Sequence, residues 1–346
     1  MKIQDYLDKD LLLKMIDLGY VLVNKHPDSD LYILCYSKIC TLDWMWNDVT
    51  EKCRGLIIDS EGNIKARPFR KFYNFEEIEN KDIIPNLPFE VFDKMDGSLG
   101  ILYWNNGFPW IATKGSFTSD QAWIANKILH EKPREILSEL NPNLTYLFEI
   151  ITPEDPKVVN YGNLQDLFLI AVIDTETGEE HNIEDYDNLF RIVPSFKKIT
   201  NWRILREVID GTNREGFVIK FSNNFRLKLK YAEYFELHKI LYSLSDNFIF
   251  DLIKDGKTDD LMVLKDKLPE TQWDRIENII KSYKKRFTEL VIKSKAQYKI
   301  GFSTRKQAAE YFKTCEYPQV MFAMLDGRDI TPFIWKIVAK ERKNEN

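Results

Sequence analysis

The periodicity of the apolar residues changes once along this chain, near residue 232, and that change limits what it can fold into. From about residue 30 to 230 the apolar positions fall in short aromatic or β-branched runs: "YILCYS", "RGLIIDSEGNIKARPF", "FEVFDK", "SLGILYW", "PWIATKG", "TYLFEII", "LFLIAVID", "GFVIKF" and "FRLKLK". Gly, Asn, Asp or Pro separates most of them, the pattern of short strands joined by turns. One helix is expected through "SDQAWIANKILHEK", where apolar residues recur at three-to-four spacing behind a Ser-Asp start. Beyond 232, "WDRIENIIKSYKKRFTELVIKSKAQYK", "TRKQAAEYFKT" and "PFIWKIVAKER" are helical in period. A chain of 346 residues suits two domains. The expected fold class is therefore α+β: a domain over 1–240 built on antiparallel sheets, then a smaller all-α domain over 241–346.

The formal charge of −5 argues against a protein that coats long nucleic acid through a global positive field, but allows a local basic groove. Cys35, Cys40, Cys53 and Cys315 form no C-x-x-C pair, and His26, His130, His181 and His238 lack metal-ligand spacing, so neither a structural zinc nor a disulfide framework is expected. Acids interrupt the apolar N-terminal stretch, which fits neither a signal nor a transit peptide, and no run reaches membrane-spanning length. A cytoplasmic protein with reduced thiols is expected, acting in the host cytoplasm if the chain is viral.

"KMDGSLG" at 94–100 leaves one apolar run and enters another. Its plain reading is an Asp-Gly hairpin turn; its sharper one makes Lys94 a nucleophile held against a nucleotide phosphate by Asp96 and Gly97. A phosphoryl-transfer site would also need cations for phosphates and carboxylates for a sugar and a metal ion. "RLKLK" at 226–230 puts Arg226, Lys228 and Lys230 on one strand face, either a solvated edge or a cluster whose repulsion an anion would relieve. Glu149 stands inside the apolar "YLFEII" and needs a partner, a salt bridge serving as well as a ligand. Glu215 opens "EGFVIKF", where a turn residue is the plainer reading. Lys114 precedes a Gly-Ser turn in "ATKGSF", and "KCRGLIID" and "RPFRKFYNF" add Arg54, Lys71 and Tyr73.

The ordered series C-R-G, R-P-x-x-K-F-Y-N, K-x-D-G-S, T-K-G-S, F-E, E-G-F-V and K-L-K, with Lys94 55 residues before Glu149, Glu149 66 before Glu215 and Lys228 13 further on, resembles the covalent lysyl-nucleotidyltransferases. It is most similar to the ATP-dependent RNA ligases of the bacteriophage RNA ligase 1 type, over roughly residues 30–265; "SDQAWIAN" and "DGKTDDL" point to the same branch. The resemblance implies a nucleotidyltransferase domain with its sheets around an ATP pocket and Lys94 as the residue that forms lysyl-AMP. Arg54, Lys71, Lys114, Lys228 and Lys230 would contact ATP phosphates or an RNA 5'-phosphate, Glu149 the ribose, and Glu215 the neighbourhood of the catalytic metal, Mg²⁺ or Mn²⁺. Tyr73, Gly97 and Tyr234 match pocket positions, and Tyr36 a triphosphate contact. Asp259 and Asp260 would bind a second cation, or simply cap a helix. The surrounding cations are expected to lower the Lys94 pKa and free its amine.

The implied reaction transfers AMP from ATP to Lys94, then to an RNA 5'-phosphate, and joins that end to a 3'-hydroxyl. RNA ends, in a single strand or a nicked loop such as a cleaved tRNA, are the implied partners, and the enzyme is expected to be a monomer. No G-x-x-x-x-G-K-[ST] element occurs, so end-healing would fall to a separate kinase or phosphatase. Lys281, Lys284, Lys285, Arg286, Lys293, Lys295 and Lys299 make the helical domain a candidate RNA-docking surface, or a solvated helix face. The rivals are a DNA ligase, an mRNA-capping guanylyltransferase, and a catalytically silent RNA-end-binding protein. The first two normally continue into a β-barrel where this chain reads as helices.

Overall fold

The computed structural model describes residues 1–345 other than 156, 263, 266, 267 and 269, including their side chains except at 239, 242, 243, 270, 271 and 343–345. It divides into two units, Met1–Phe235 and Glu236–Asn346.

The first unit holds three sheets. One is a meander of β1 (Val21–Lys25), β2 (Leu31–Tyr36), β3 (Arg54–Asp59) and β4 (Ile64–Ala66), all antiparallel. The later strands are β5 (Tyr73–Asn74), β6 (Phe89–Lys94), β7 (Ser98–Asn105), β8 (Phe108–Thr113), β9 (Leu144–Ile151), β10 (Asp166–Asp174), β11 (Arg191–Ile192), β12 (Gly216–Phe221) and β13 (Arg226–Lys230). They form a five-stranded sheet in the order β11-β10-β9-β7-β8 and a four-stranded sheet in the order β5-β13-β12-β6. Pairing is antiparallel, as expected from the short turns, apart from two-residue parallel pairs of β10 with β11 and β13 with β5.

Strand β9 is central in its sheet, and seven of its eight residues are buried; Glu149 is the exception. This explains why "LTYLFEII" is almost continuously apolar rather than alternating. Tyr146 and Phe148 are fully buried, each contributing about 1.5–3 kcal/mol by leaving water. The expected helix runs over Asp120–His130, with Ser119 accepting the Ala122 N–H as its N-cap. Its Asn126 side chain accepts from Ile111 N at 2.7 Å and donates to Ile111 O at 2.9 Å, so a helix side chain satisfies the edge of β8.

The hairpin reading of Asp96-Gly97 fails. β6 belongs to the four-stranded sheet and β7 to the five-stranded one, so the turn carries the chain from one sheet to the other. It is also buried: Asp96 Oδ2 accepts from Val158 N at 2.9 Å and Val159 N at 3.1 Å, and its Oδ1 accepts from Tyr234 OH at 2.9 Å. Gly97 is required by close approach, since a Cβ there would lie 2.4 Å from the Ile150 carbonyl oxygen.

The second unit is helical among its described residues, with helices over Asp246–Lys254, Glu270–Gln297, Arg305–Phe312, Pro318–Leu325 and Thr331–Glu345. Phe250, Ile276, Phe312, Met321, Ile334 and Trp335 form much of its core. Among the described residues of the chain, no helix is long and apolar enough to cross a membrane.

Candidate active site

Three strands of the four-stranded sheet bring the site's first residues level. Lys94 at the end of β6 pairs with Gly216 of β12, and Gly216 pairs on its other side with Lys230 of β13. Gly216 has φ +148°, and a Cβ on it would meet the Leu229 carbonyl oxygen at 2.2 Å, so only glycine lets the strands close here. Glu215, immediately before it, is therefore directed at both lysines. Lys94 Nζ donates to Glu215 Oε2 at 2.8 Å, and Lys230 Nζ lies 2.7 Å from Oε1. Glu215 is 2% exposed, which rules out the plain surface-turn reading. Burial would push its pKa up, but the Lys94 and Lys230 ammoniums outweigh it and hold the carboxyl below its ordinary value.

The expected fall in the Lys94 pKa is overturned. Burial does act to strip its proton, but Glu215 and then Glu149 outweigh that, and the ammonium is held above its ordinary range. Lys228 instead is pushed well down, chiefly by burial and then by Lys94, Arg54, Lys230 and Lys71. Its Nζ lies 4.7 Å from the centre of the Phe72 ring. The third member of the predicted trio is withdrawn from this cluster: Arg226 is buried and forks onto Glu180, with Nη1 at 2.6 Å from Oε1 and Nη2 bonded to Oε2. Arg226 and Lys230 are thus each met by a buried carboxylate, Glu180 and Glu215, whereas Lys228 still feels the surrounding cations.

Glu149 comes from the five-stranded sheet. Its partner is not a salt bridge but the Gly97 N–H, which donates to Oε1 at 3.0 Å. Burial is the main reason its pKa is raised to about 7; Lys94 opposes the rise and Glu215 adds to it. The chain between Lys94 and Gly97 therefore ties both sheets to one site.

The remaining cations lie against aromatic rings. Arg54 opens β3 with its guanidinium 5.2 Å from the Phe69 ring and 5.8 Å from Phe72, and its Nη1 is buried with no hydrogen-bond partner in the structure. A buried unpaired guanidinium nitrogen is costly, and an anion would remove the cost. Lys114 sits 4.3 Å over Tyr36. Lys71 Nζ is 3.5 Å from the Tyr73 ring, 4.4 Å from Trp46 and 5.6 Å from Trp44, and burial leads in pushing its pKa down to about 8. Tyr234, buried at the end of this unit, holds Asp96 as described.

Several organising residues were not picked out from the sequence. Glu51 accepts from Tyr73 OH at 2.5 Å and from Arg70 Nε at 2.9 Å, and its carbonyl accepts from Lys71 N at 2.7 Å. Trp44, Trp46 and Glu180 were also passed over; the aromatic density of "DWMWND" was the available signal for the tryptophans. Asp259 and Asp260 belong to the other unit, exposed in the first turn of the helix Thr258–Met262, where acids complement the helix N-terminus. Among the described residues no group of three or more His, Cys, Asp or Glu could hold a metal ion.

The chain has relatives among known proteins. The family model described as RNA ligase matches residues 52–235, which include Arg54, Lys94, Glu149, Glu215, Lys228 and Lys230. The chain is 25% identical to an RNA ligase of Rhodothermus phage RM378 over 86% of each chain. It is also 25% identical to RNA ligase 1 of bacteriophage TS2126, over 60% of this chain and 57% of that one. Among solved structures, a candidate ATP-dependent DNA ligase from Aquifex aeolicus superposes with a TM-score of 0.50 at 15% identity, covering 92% of this chain and 99% of that chain, a likeness of fold alone.

Proposed function

The chain belongs to the RNA ligase family, and on that premise we propose that it joins RNA 3'-hydroxyl and 5'-phosphate ends at the expense of ATP. The observation that carries the reading is the Lys94–Glu215 contact at 2.8 Å inside a cluster of buried cations. Lys94 as an ammonium cannot attack; Glu215 Oε2 is the base within reach to take its proton when the triphosphate arrives. The freed amine attacks the α-phosphorus, the bond to pyrophosphate breaks, and a lysyl-AMP phosphoramidate forms. An RNA 5'-phosphate oxygen then displaces the lysine, which leaves with a proton restored. A 3'-hydroxyl oxygen finally attacks the 5'-phosphorus, loses its proton, and releases AMP.

In this reading Arg54, Lys71, Lys114, Lys228 and Lys230 bind phosphate oxygens and stabilise charge on departing pyrophosphate. Glu149, held by Gly97, accepts from a ribose hydroxyl, and Tyr36, Tyr73 and Tyr234 shape the pocket walls. Glu215 is the protein's acid closest to the chemistry, and a Mg²⁺ or Mn²⁺ ion carried by the triphosphate would draw on it and neutralise phosphate charge. The helical unit would dock RNA: Lys281, Lys284, Lys285, Lys293, Lys295 and Lys299 are exposed along or just past the helix Glu270–Gln297, although Lys281 and Lys293 pair with Glu277 and Glu316. Asp259 and Asp260 would help hold a second cation, although no third ligand joins them among the described residues. Cytoplasmic repair of broken RNA, a cleaved tRNA among the substrates, alongside a separate end-healing enzyme, completes the reading.

The test is incubation with Mg²⁺ and ATP or GTP, followed by intact mass, peptide mapping and sealing assays on 5'-phosphorylated RNA and DNA. An AMP adduct on Lys94 and sealing of RNA in preference to DNA are expected. A GMP adduct would move the reading to capping chemistry, preferential DNA sealing to a DNA ligase, and no adduct in folded, unadenylylated protein to a silent RNA-end binder.

A further inference from the structure

Trp44 is the one tryptophan of the chain with a left-handed backbone, at φ +53°. A bulky residue in that region is strained and persists only where its surroundings fix it. They do so here: Met45 N donates to Cys40 O at 3.0 Å, Trp46 N to Trp44 O at 2.9 Å, and Thr50 Oγ1 to Met45 O at 2.9 Å. The strain does not bury the side chain, since Trp44 remains 54% exposed. It sets the indole beside the Lys71 cage, with its ring centre 6.3 Å from Trp46 at 83° and 6.1 Å from Tyr73 at 46°. Neither contact is a parallel stack, and among the described residues no ring lies flat on Trp44. Leu42 and Met45, 72% and 36% exposed, extend the apolar surface on either side.

An outward-facing indole on which no described ring stacks flat, next to a cation of the proposed phosphate-binding site, is the equipment of single-stranded nucleic-acid recognition, where bases stack on aromatic side chains while cations track the backbone. Lys71 is the cation in question, 5.6 Å from the Trp44 ring. A nucleotide whose phosphate meets Lys71 carries its base within one nucleotide's reach of that indole. A second protein is the poorer occupant, because the apolar patch is small and is interrupted by the exposed Asp43 and the half-buried Asn47.

Building on the ligase reading, we infer that Trp44 is a stacking platform for the base of the 5'-phosphorylated terminal nucleotide of the RNA to be joined. It makes this end recognised by its base face as well as by its phosphate, with little preference among the four bases.

The experiment is equilibrium binding at fixed salt of 5'-phosphorylated pentaribonucleotides that are intact, abasic at the 5'-terminal position, or abasic at the 3'-terminal position. The proteins are the full-length chain, Trp44→Phe, and Trp44→Gly, which keeps the backbone because glycine accepts φ +53°. The wild type should bind the intact oligomer roughly 5- to 100-fold more tightly than the 5'-abasic one. Trp44→Gly should close that gap and Trp44→Phe should keep most of it. A wild type that binds the two equally, a gap that survives in Trp44→Gly, or a penalty only for the 3'-abasic oligomer overturns the inference and leaves the ligase reading standing. No lysyl-AMP and no binding of any oligomer would overturn both.

Discussion

Lys94 and Glu215 form a buried ion pair in which each holds the other in its charged form: the ammonium above its ordinary pKa and the carboxylate below. Lys94 is thus held as an ammonium. Because Glu215 takes that proton within the pair, wild-type lysyl-AMP formation should vary by no more than about threefold between pH 7 and 9. Replacing Glu215 by Gln removes the strongest support for the ammonium, so Lys94 should acylate with an amine reagent about tenfold or more faster at pH 8, read by peptide mapping. The same variant should lose roughly 100-fold or more in lysyl-AMP formation, because the proton acceptor is gone. Unchanged labelling of Lys94 would mean that the pair does not set its charge.

Glu149 has the opposite character. Burial leads in raising its pKa to about 7, so the folded protein binds this proton more readily than the unfolded chain does. Its contribution is favourable below the unfolded value and is lost as pH rises through about 7, on the order of 3 kcal/mol when complete. Glu149→Gln stays neutral and its Oε1 can still accept from Gly97 N. The variant should therefore melt a few degrees above wild type at pH 8.5 and level with it at pH 5, while losing RNA sealing. A melting difference independent of pH would contradict this.

The strands, the helix over 120–130 and the change to helices after 232 were legible because each rests on local periodicity, which one sequence carries by itself. That Lys94, Glu149, Glu215, Lys228 and Lys230 gather in one place was legible through motif order. What failed was pairing. Asp96-Gly97 has the local chemistry of a hairpin, but the register of β6 with β12 and of β7 with β9 separates its two arms into different sheets. Arg226 has the same alternation as Lys228 and Lys230, and only the distant Glu180 distinguishes it. The Lys94 pKa was misjudged for a related reason: the cations were visible as a cluster, but the placement of Glu215 between two of them depends on φ at Gly216.

Gly216 and Gly107 separate the two ways a glycine can matter. Both have positive φ, but a Cβ on Gly107 meets nothing within 4 Å, whereas one on Gly216 meets the Leu229 carbonyl at 2.2 Å. Gly107→Ala should cost about 1 kcal/mol, the backbone penalty alone. Gly216→Ala should cost about 3 kcal/mol or more and separate Glu215 from Lys94, so the labelling pattern of Lys94 should shift toward that of Glu215→Gln. Similar denaturation midpoints for the two variants would show that β12 and β13 can move apart cheaply.

Arg226 offers the test of whether the "RLKLK" strand is one cation cluster or two. Its guanidinium and Glu180 are both nearly fully buried, with Lys220 Nζ 3.2 Å from the same carboxylate. Breaking such a pair from one side leaves a buried charge half-compensated, and Arg226→Met should cost about 2–4 kcal/mol. Removing both charges with Arg226→Met/Glu180→Leu should restore at least half of that, since the apolar pair leaves no carboxylate to desolvate. If Arg226 serves only Glu180, Arg226→Met assayed well below its melting point should form lysyl-AMP within a few-fold of wild type, whereas Lys228→Ala should be nearly inactive. A loss in Arg226→Met as deep as that in Lys228→Ala, with the protein folded, would return Arg226 to the Lys228 cluster from which its pairing with Glu180 separates it.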